Sequence, residues 1–255
     1  MTPEALLERI AIAPVVDEPV AVVVAHPDDE TLGLGARLSH LRRLTLIHLT
    51  DGAPLDPADA QRAGHATRER YAAARRVELT AALAAAGASP ERRLAYDIPD
   101  QQAVHRLPEL TKRLAADLAS QAAVVTHTYE GGHPDHDAAA LAVQQACASL
   151  GDAAPLRLEF AGYHLGPKGA VSGVFHDDDG VVCAADEQDR SRKRAALAAF
   201  ASQAAVLARF AGVPERLRLA PTYDFAEPPA PGRCLYDTYG WRLDSVGWRD
   251  AAAHA

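Results

Sequence analysis

The chain has 255 residues, 48% of them hydrophobic and 24% charged, which suits one large α/β domain or two small ones. A formal net charge of −8 argues against nucleic acid or an anionic membrane as partner, since both need a basic face. Three scattered cysteines with no Cys-x-x-Cys argue against a thiolate zinc site and a disulfide scaffold, and with no apolar run near the roughly 20 residues of a membrane span and an N-terminus unlike a secretory signal they lead us to expect a soluble cytoplasmic protein with free thiols.

In chain order, VAVVVA (20–25) is a continuous β-branched run, the mark of a strand covered on both faces. Residues 31–41 read as helix, and LTLIHLT (44–50) as a second strand ended by Asp51-Gly52. An alanine-rich helix spans 67–86 and closes at Gly87. A third strand (93–98), a helix (107–120), a fourth strand (122–127), a helix with Pro134 in its first turn (134–150) and a fifth strand (156–164) follow. Beyond residue 165 the rhythm breaks. Residues 166–187 read as a hairpin turning at Asp178-Asp179-Gly180, and 191–210 as a helix. The proline- and aromatic-rich tail from Pro214 is expected to lack regular structure. This alternation predicts a Rossmann-like α/β fold, with a mainly parallel sheet and helices on both faces. We read one domain over 1–255, with 166–255 as a C-terminal hairpin, helix and loop elaboration.

Two clusters stand out. His26-Pro27-Asp28-Asp29-Glu30 follows the first strand, and His133-Pro134-Asp135-His136 follows the fourth. Both fall on the carboxyl rim of a parallel sheet, where ligands bind, and they meet if strands one and four are neighbours. So many carboxylates in one place repel each other unless a cation joins them. Imidazole and carboxylate donors suit Zn²⁺, and Fe²⁺ accepts the same N/O set. A catalytic site keeps one coordination position open, so some of these residues are left for proton transfer.

The pieces AHPDDETLGLG and THTYEGGHPDHDAA together resemble the LmbE-like, or PIG-L, deacetylases, with weaker support from Arg75-x-x-Glu78, Asp100, 193–203 and the YDF and GW pieces of the tail. The resemblance implies metal-dependent removal of the N-acetyl group from an N-acetylglucosamine-type sugar or its conjugate. It implies zinc ligands at His26, Asp29 and His136, and a general base at Asp28. It gives His133 the oxyanion, as imidazolium, or the proton for the leaving amine, and has Asp135 holding a histidine of its loop. Which of Asp28 and His133 protonates the amine stays open. Arg75, Asp100, Tyr129 and His127 are candidate substrate groups, each with a plain alternative as a charged helix face, a turn residue or packing. Two other functions stay in play: an amidase for a larger N-acyl group on a thiol conjugate or lipoglycopeptide, and a non-catalytic carbohydrate-binding protein. A small-molecule sugar is the expected partner, and the subunit number is open, a homo-oligomer included.

Plainer readings apply elsewhere. Glu30 braces a helix start. Gly33-x-Gly35 lacks the third glycine of a dinucleotide fingerprint. Asp177-Asp178-Asp179-Gly180 lacks the spaced ligands of a calcium loop. His48 and the remaining histidines read as core or surface groups, with His164 the exception nearest the rim.

Overall fold

The computed structural model describes residues 1–177, 180–230 and 232–254. Its elements are α1 (Pro3–Ile12), β1 (Val16–Val24), α2 (Asp29–Leu34), β2 (Leu41–Pro54), α3 (Pro57–Arg62), α4 (Arg68–Ala85), β3 (Arg92–Asp100), α5 (Leu107–Leu118), β4 (Ala123–His127), α6 (Pro134–Leu150), β5 (Leu156–Phe160), β6 (Tyr163–Gly166), β7 (Gly169–Ser172), β8 (Val181–Val182), α7 (Glu187–Ala199), α8 (Ala204–Leu207), β9 (Arg216–Leu219) and α9 (Ser245–Ala253). Among the described residues the main sheet has seven strands in the order β3-β2-β1-β4-β5-β9-β8. The first five pair in parallel, while β9 and β8 pair antiparallel at one end.

The β-branched run explains the layering. Val20, Val22 and Val24 face one side and pack with α1, α2, α4 and α7, whereas Ala21 and Val23 face the other and pack with α5, α6 and α9. Alternate side chains of a strand point to opposite faces, so a strand covered twice must be apolar throughout. β1 pairs with β2 on one side and β4 on the other, so the chain order reverses there, and the loops after β1 and β4 open into the same crevice.

Several expectations need correction. The fifth strand stops at Phe160, and Tyr163–Gly166 turns away to pair with Gly169–Ser172 in a separate two-stranded hairpin. The expected hairpin over 166–187 does not form: β8 joins the main sheet beside β9, and the Asp178-Asp179 turn lies outside the described residues. The helix expected over 191–210 begins earlier, because Asp186 and Asp189 form a reciprocal cap, and ends at Ala199, where Phe200 leaves helical geometry. The tail is more ordered than expected. β9 pairs with β5, placing Arg218 opposite Glu159, and α9 buries Trp248 against the second face. The helix expected over 31–41 shrinks to Asp29–Leu34, followed by one tighter turn at Leu38–His40. Gly33 serves packing: a Cβ there would lie 2.5 Å from the Phe160 ring.

Cys147, Cys183 and Cys234 are buried and unpaired, and no described helix is long and apolar enough to cross a membrane.

Candidate active site

Past the end of β1 the chain places His26 in the crevice and then turns sharply at Asp28, whose φ of 134° is a strained angle for a residue with a Cβ. Such a backbone costs about 1–3 kcal/mol and persists only where its surroundings hold it. Here the Asp28 N–H donates to Glu30 Oε2 at 3.0 Å. From above, Arg75 on α4 donates through one NH2 group to Pro27 O at 2.7 Å and to Asp28 Oδ2 at 3.1 Å. Arg75 reaches them past Gly52, at φ +66°, where a Cβ would lie 2.8 Å from the guanidinium. Gly52→Ala is therefore expected to cost about 1–2 kcal/mol in strain and displaced contact. That is a Tm drop of roughly 2–8 °C by thermal denaturation; an unchanged Tm would mean that Arg75 yields freely.

The second loop leaves β4 at His127 and returns at α6. The Asp137 carboxylate accepts the Glu130 and Gly131 N–H groups, and the Trp248 indole donates to Pro134 O at 2.9 Å, so the loop is pinned from both ends. His133 becomes the N-cap of α6, its Nδ1 accepting the Asp135 N–H at 3.1 Å. Asp135 is fully buried and accepts the Gln101 and Ala103 N–H groups, tying α6 to the segment after β3. Asp100, the last residue of β3, enters from that segment.

The loops converge. His26 Nδ1 lies 3.1 Å from Asp29 Oδ2, and His136 Nε2 lies 3.2 Å from Asp29 Oδ1. His26 Nε2 is 3.2 Å from both Asp100 and Asp135, and His133 Nε2 is 3.5 Å from Asp100. Ligand atoms of His26, His133 and His136 fall within 4.8 Å of one another, as do those of Asp29, His127 and His136, and of His26, Asp100, His133 and Asp135. Burial, Asp29 and Glu30 push the Asp28 carboxyl up to about 7, against the pull of Arg75 and His26. Burial also resists a charge on His26, but Asp100, Asp135 and Asp29 outweigh it and hold the ring well above its ordinary range. Burial pushes His133 well below that range and His136 to about 4, which keeps both rings neutral. A proton on His26 thus stands where these carboxylates call for positive charge.

Of the residues expected in the metal and catalytic set, His26, Asp29, His133, Asp135 and His136 meet in this cluster, and Asp28 stands beside it on Arg75; the Asp135 carboxylate faces His26 and not, as expected, a histidine of its own loop. The expected substrate groups divide. Arg75 and Asp100 are in it, Arg75 with its Nε buried and without a partner. His127 forms its floor, stacked on His136 at 3.9 Å, with Nε2 accepting the Ala25 N–H at 3.0 Å. Tyr129 is a packing residue instead: its hydroxyl donates to Glu227 O and its ring is buried against Tyr223, Phe225 and Trp248. Arg76 points out to Asp97, and His164 bonds Glu130. Glu78 ties α4 to Ser202, while Lys193 binds Glu215 and Leu32 O, so both brace the frame.

The sequence assigned no role to Tyr163, whose ring meets His136 at 5.3 Å, and marked Trp241, edge-on to His133 at 5.0 Å, only as part of a Gly-Trp piece of the tail. No local pattern marks Tyr163. His48, expected as a core or surface histidine, is buried in β2.

Residues 21–147, which span both loops, match the model of the PIG-L family, described as GlcNAc-PI de-N-acetylase. No curated protein matches the chain. Similar solved structures include the A40926 pseudoaglycone deacetylase Dbv21, at 20% identity and a TM-score of 0.61, covering 82% of this chain and 100% of that one. The N,N'-diacetylchitobiose deacetylase from Pyrococcus horikoshii gives 15% and 0.51, covering 87% and 93%. GalB, the 4-carboxy-2-hydroxymuconate hydratase from Pseudomonas putida KT2440, gives 20% and 0.50, covering 75% and 82%. At these identities the common element is the fold, and a hydratase among them is a reminder that architecture does not dictate reaction. With both motif loops inside the matched span and converging in one crevice, the chain belongs to the PIG-L family.

Proposed function

We propose that this chain is a divalent-metal-dependent N-deacetylase acting on an N-acetylglucosamine-type amino sugar or its conjugate. The observation that carries the reading is the shared crevice of His26, Asp29 and His136, with Asp28 and His133 on either side.

The donor set fits a cation. Four aspartates crowd together here: Asp28 is paired with Arg75, and Asp29, Asp100 and Asp135 surround His26. His136 Nδ1 is buried without any hydrogen-bond partner, an orphan that a bound group would have to explain. Hydrogen bonding also separates the four histidines. Backbone N–H groups already occupy one lone pair on His127 and one on His133, so the other nitrogen of each neutral ring carries the proton. Neither has a free lone pair for a metal, which leaves His26 and His136, with Asp29 between them. Zinc is the default for this set and Fe²⁺ suits it too. When bound, the ion supplies Lewis acidity that polarises an amide carbonyl and makes water more acidic.

The chain's own groups do the rest. Asp28, raised towards neutral pH and held by Arg75, accepts the proton of the attacking water. His133, its Nδ1 committed to the Asp135 N–H, presents Nε2–H to the developing oxyanion as a neutral donor. This replaces the imidazolium expected for it. Asp28 is then the group that carries a proton to the departing amine. Asp100, its side chain partly exposed at 14%, is placed to accept a substrate hydroxyl.

Trp241 lies edge-on to His133 and beside Tyr239 at 4.9 Å, and offers a face for the apolar side of a pyranose ring. Trp241→Ala is expected to raise KM about 3- to 10-fold with kcat within about 2-fold, the size of one aromatic contact. A fall in kcat at constant KM would place the ring in the chemistry instead. The overall test is acetate release from a panel of N-acetylglucosamine derivatives, with and without chelator. Release that stops on chelation and returns with Zn²⁺ supports the reading. Metal-loaded protein that binds these sugars without hydrolysing any of them would favour the carbohydrate-binding alternative, and release of only longer acyl groups the amidase.

A further inference from the structure

Glu30 and His48 lie below the catalytic loop and take no part in the chemistry above. Glu30 is completely buried. Its two oxygens receive three donors: Oε2 takes the Asp28 N–H at 3.0 Å and faces His48 Nε2 at 3.0 Å, and Oε1 takes the Thr31 hydroxyl at 2.5 Å. His48 comes from β2, at the register position opposite Val24, the last residue of β1, and is itself 5% exposed. Strand pairing therefore delivers an imidazole donor directly beneath the turn that follows β1. Burying a carboxylate is costly unless its lone pairs are filled, and here both oxygens are used by groups of the turn and the neighbouring strand. The same carboxylate grips the backbone at Asp28, whose φ of 134° needs outside support.

We propose that His48 and Glu30 form a positioning pair: His48 orients the Glu30 carboxylate, and Glu30 holds the Asp28 N–H so that the strained turn presents the Asp28 carboxylate to Arg75 and the crevice. The pair acts only through Asp28. It touches no substrate, and its role in turnover rests on the deacetylase reading; its role in shaping the turn does not. Arg75 fixes the same turn from the other side through Pro27 O and Asp28 Oδ2, so Asp28 is clamped between two partners carried by β2 and α4.

The test compares His48→Leu, which fills the space without a donor, with His48→Gln, which restores an N–H. Glu30→Met serves as the second variant, because it keeps the side-chain length and removes the acceptor of the Asp28 N–H. His48→Leu is expected to lower kcat about 10- to 100-fold, the effect of a reacting group displaced by an ångström, with KM and metal content unchanged. His48→Gln recovers most of the loss, and Glu30→Met reproduces it. In an Asp28→Asn background His48→Leu has no further effect on residual turnover, which a general loss of structure would not spare. A crystal structure of His48→Leu shows Asp28 relaxed from φ 134° and its carboxylate away from Arg75. Unchanged kcat in both His48→Leu and Glu30→Met, an equal proportional loss in the Asp28→Asn background, or an unmoved Asp28 in that crystal structure overturns the proposal. Wild-type protein that releases no acetate from any sugar overturns the deacetylase reading, and the crystal structure then still decides whether the pair shapes the turn.

Discussion

Asp28→Asn is expected to lower kcat by roughly 10³-fold, about 4 kcal/mol, while bound metal stays at the wild-type level. The substitution is nearly isosteric. Asparagine tolerates positive φ as readily as aspartate does, and its side-chain oxygen still accepts from Arg75, so the turn is retained. What disappears is the ability to take a proton. Asp28 belongs to none of the groups whose ligand atoms lie within sharing distance, so metal occupancy has no reason to fall. Steady-state kinetics on an N-acetyl sugar together with metal analysis measures both halves. A kcat within about 3-fold of wild type would move the base elsewhere. Loss of metal would make Asp28 a ligand.

His136→Ala is expected to weaken metal binding by at least about 100-fold, read by titration calorimetry or by metal content after dialysis. His136 brings a neutral imidazole, with its pKa pushed down by burial, against Asp29 Oδ1. The fold should tolerate its loss, because α6 is anchored independently through Asp137 to the preceding loop and through Pro134 O to Trp248. His127→Asn makes the contrast. His127 stacks on His136, yet its Nε2 lone pair belongs to the Ala25 N–H, so its replacement should leave affinity within about 10-fold. Full occupancy in His136→Ala, or a larger loss in His127→Asn, would exchange the two assignments.

How much of this was legible beforehand differs by element. The run at 20–25, the alternation through 160 and the helix at 134–150 carry their structure locally, in β-branched content, period and an N-terminal proline. They place the two polar clusters on one rim, and the pairing of β1 with β4 brings the two loops together. The errors gather after residue 160. Arg216-Leu217-Arg218-Leu219 is too short a pattern to read amid prolines, and it becomes a strand because β5 lies open beside it and Glu159 meets Arg218. Tyr129 looked like a rim residue by its place after β4. The aromatic side chains of the tail, Tyr223, Phe225 and Trp248, draw it into packing.

From the sequence alone came the fold class, the loops that carry the chemistry and the residue types that call for a cation. These depend on period and composition, which are local. The partner of each lone pair, the support beneath Asp28, and the aromatic neighbours of His133 and His136 came from the folded chain. They depend on contacts between residues far apart in the chain, such as Ala25 with His127, Glu30 with His48 and His133 with Trp241, and no short stretch encodes such a contact.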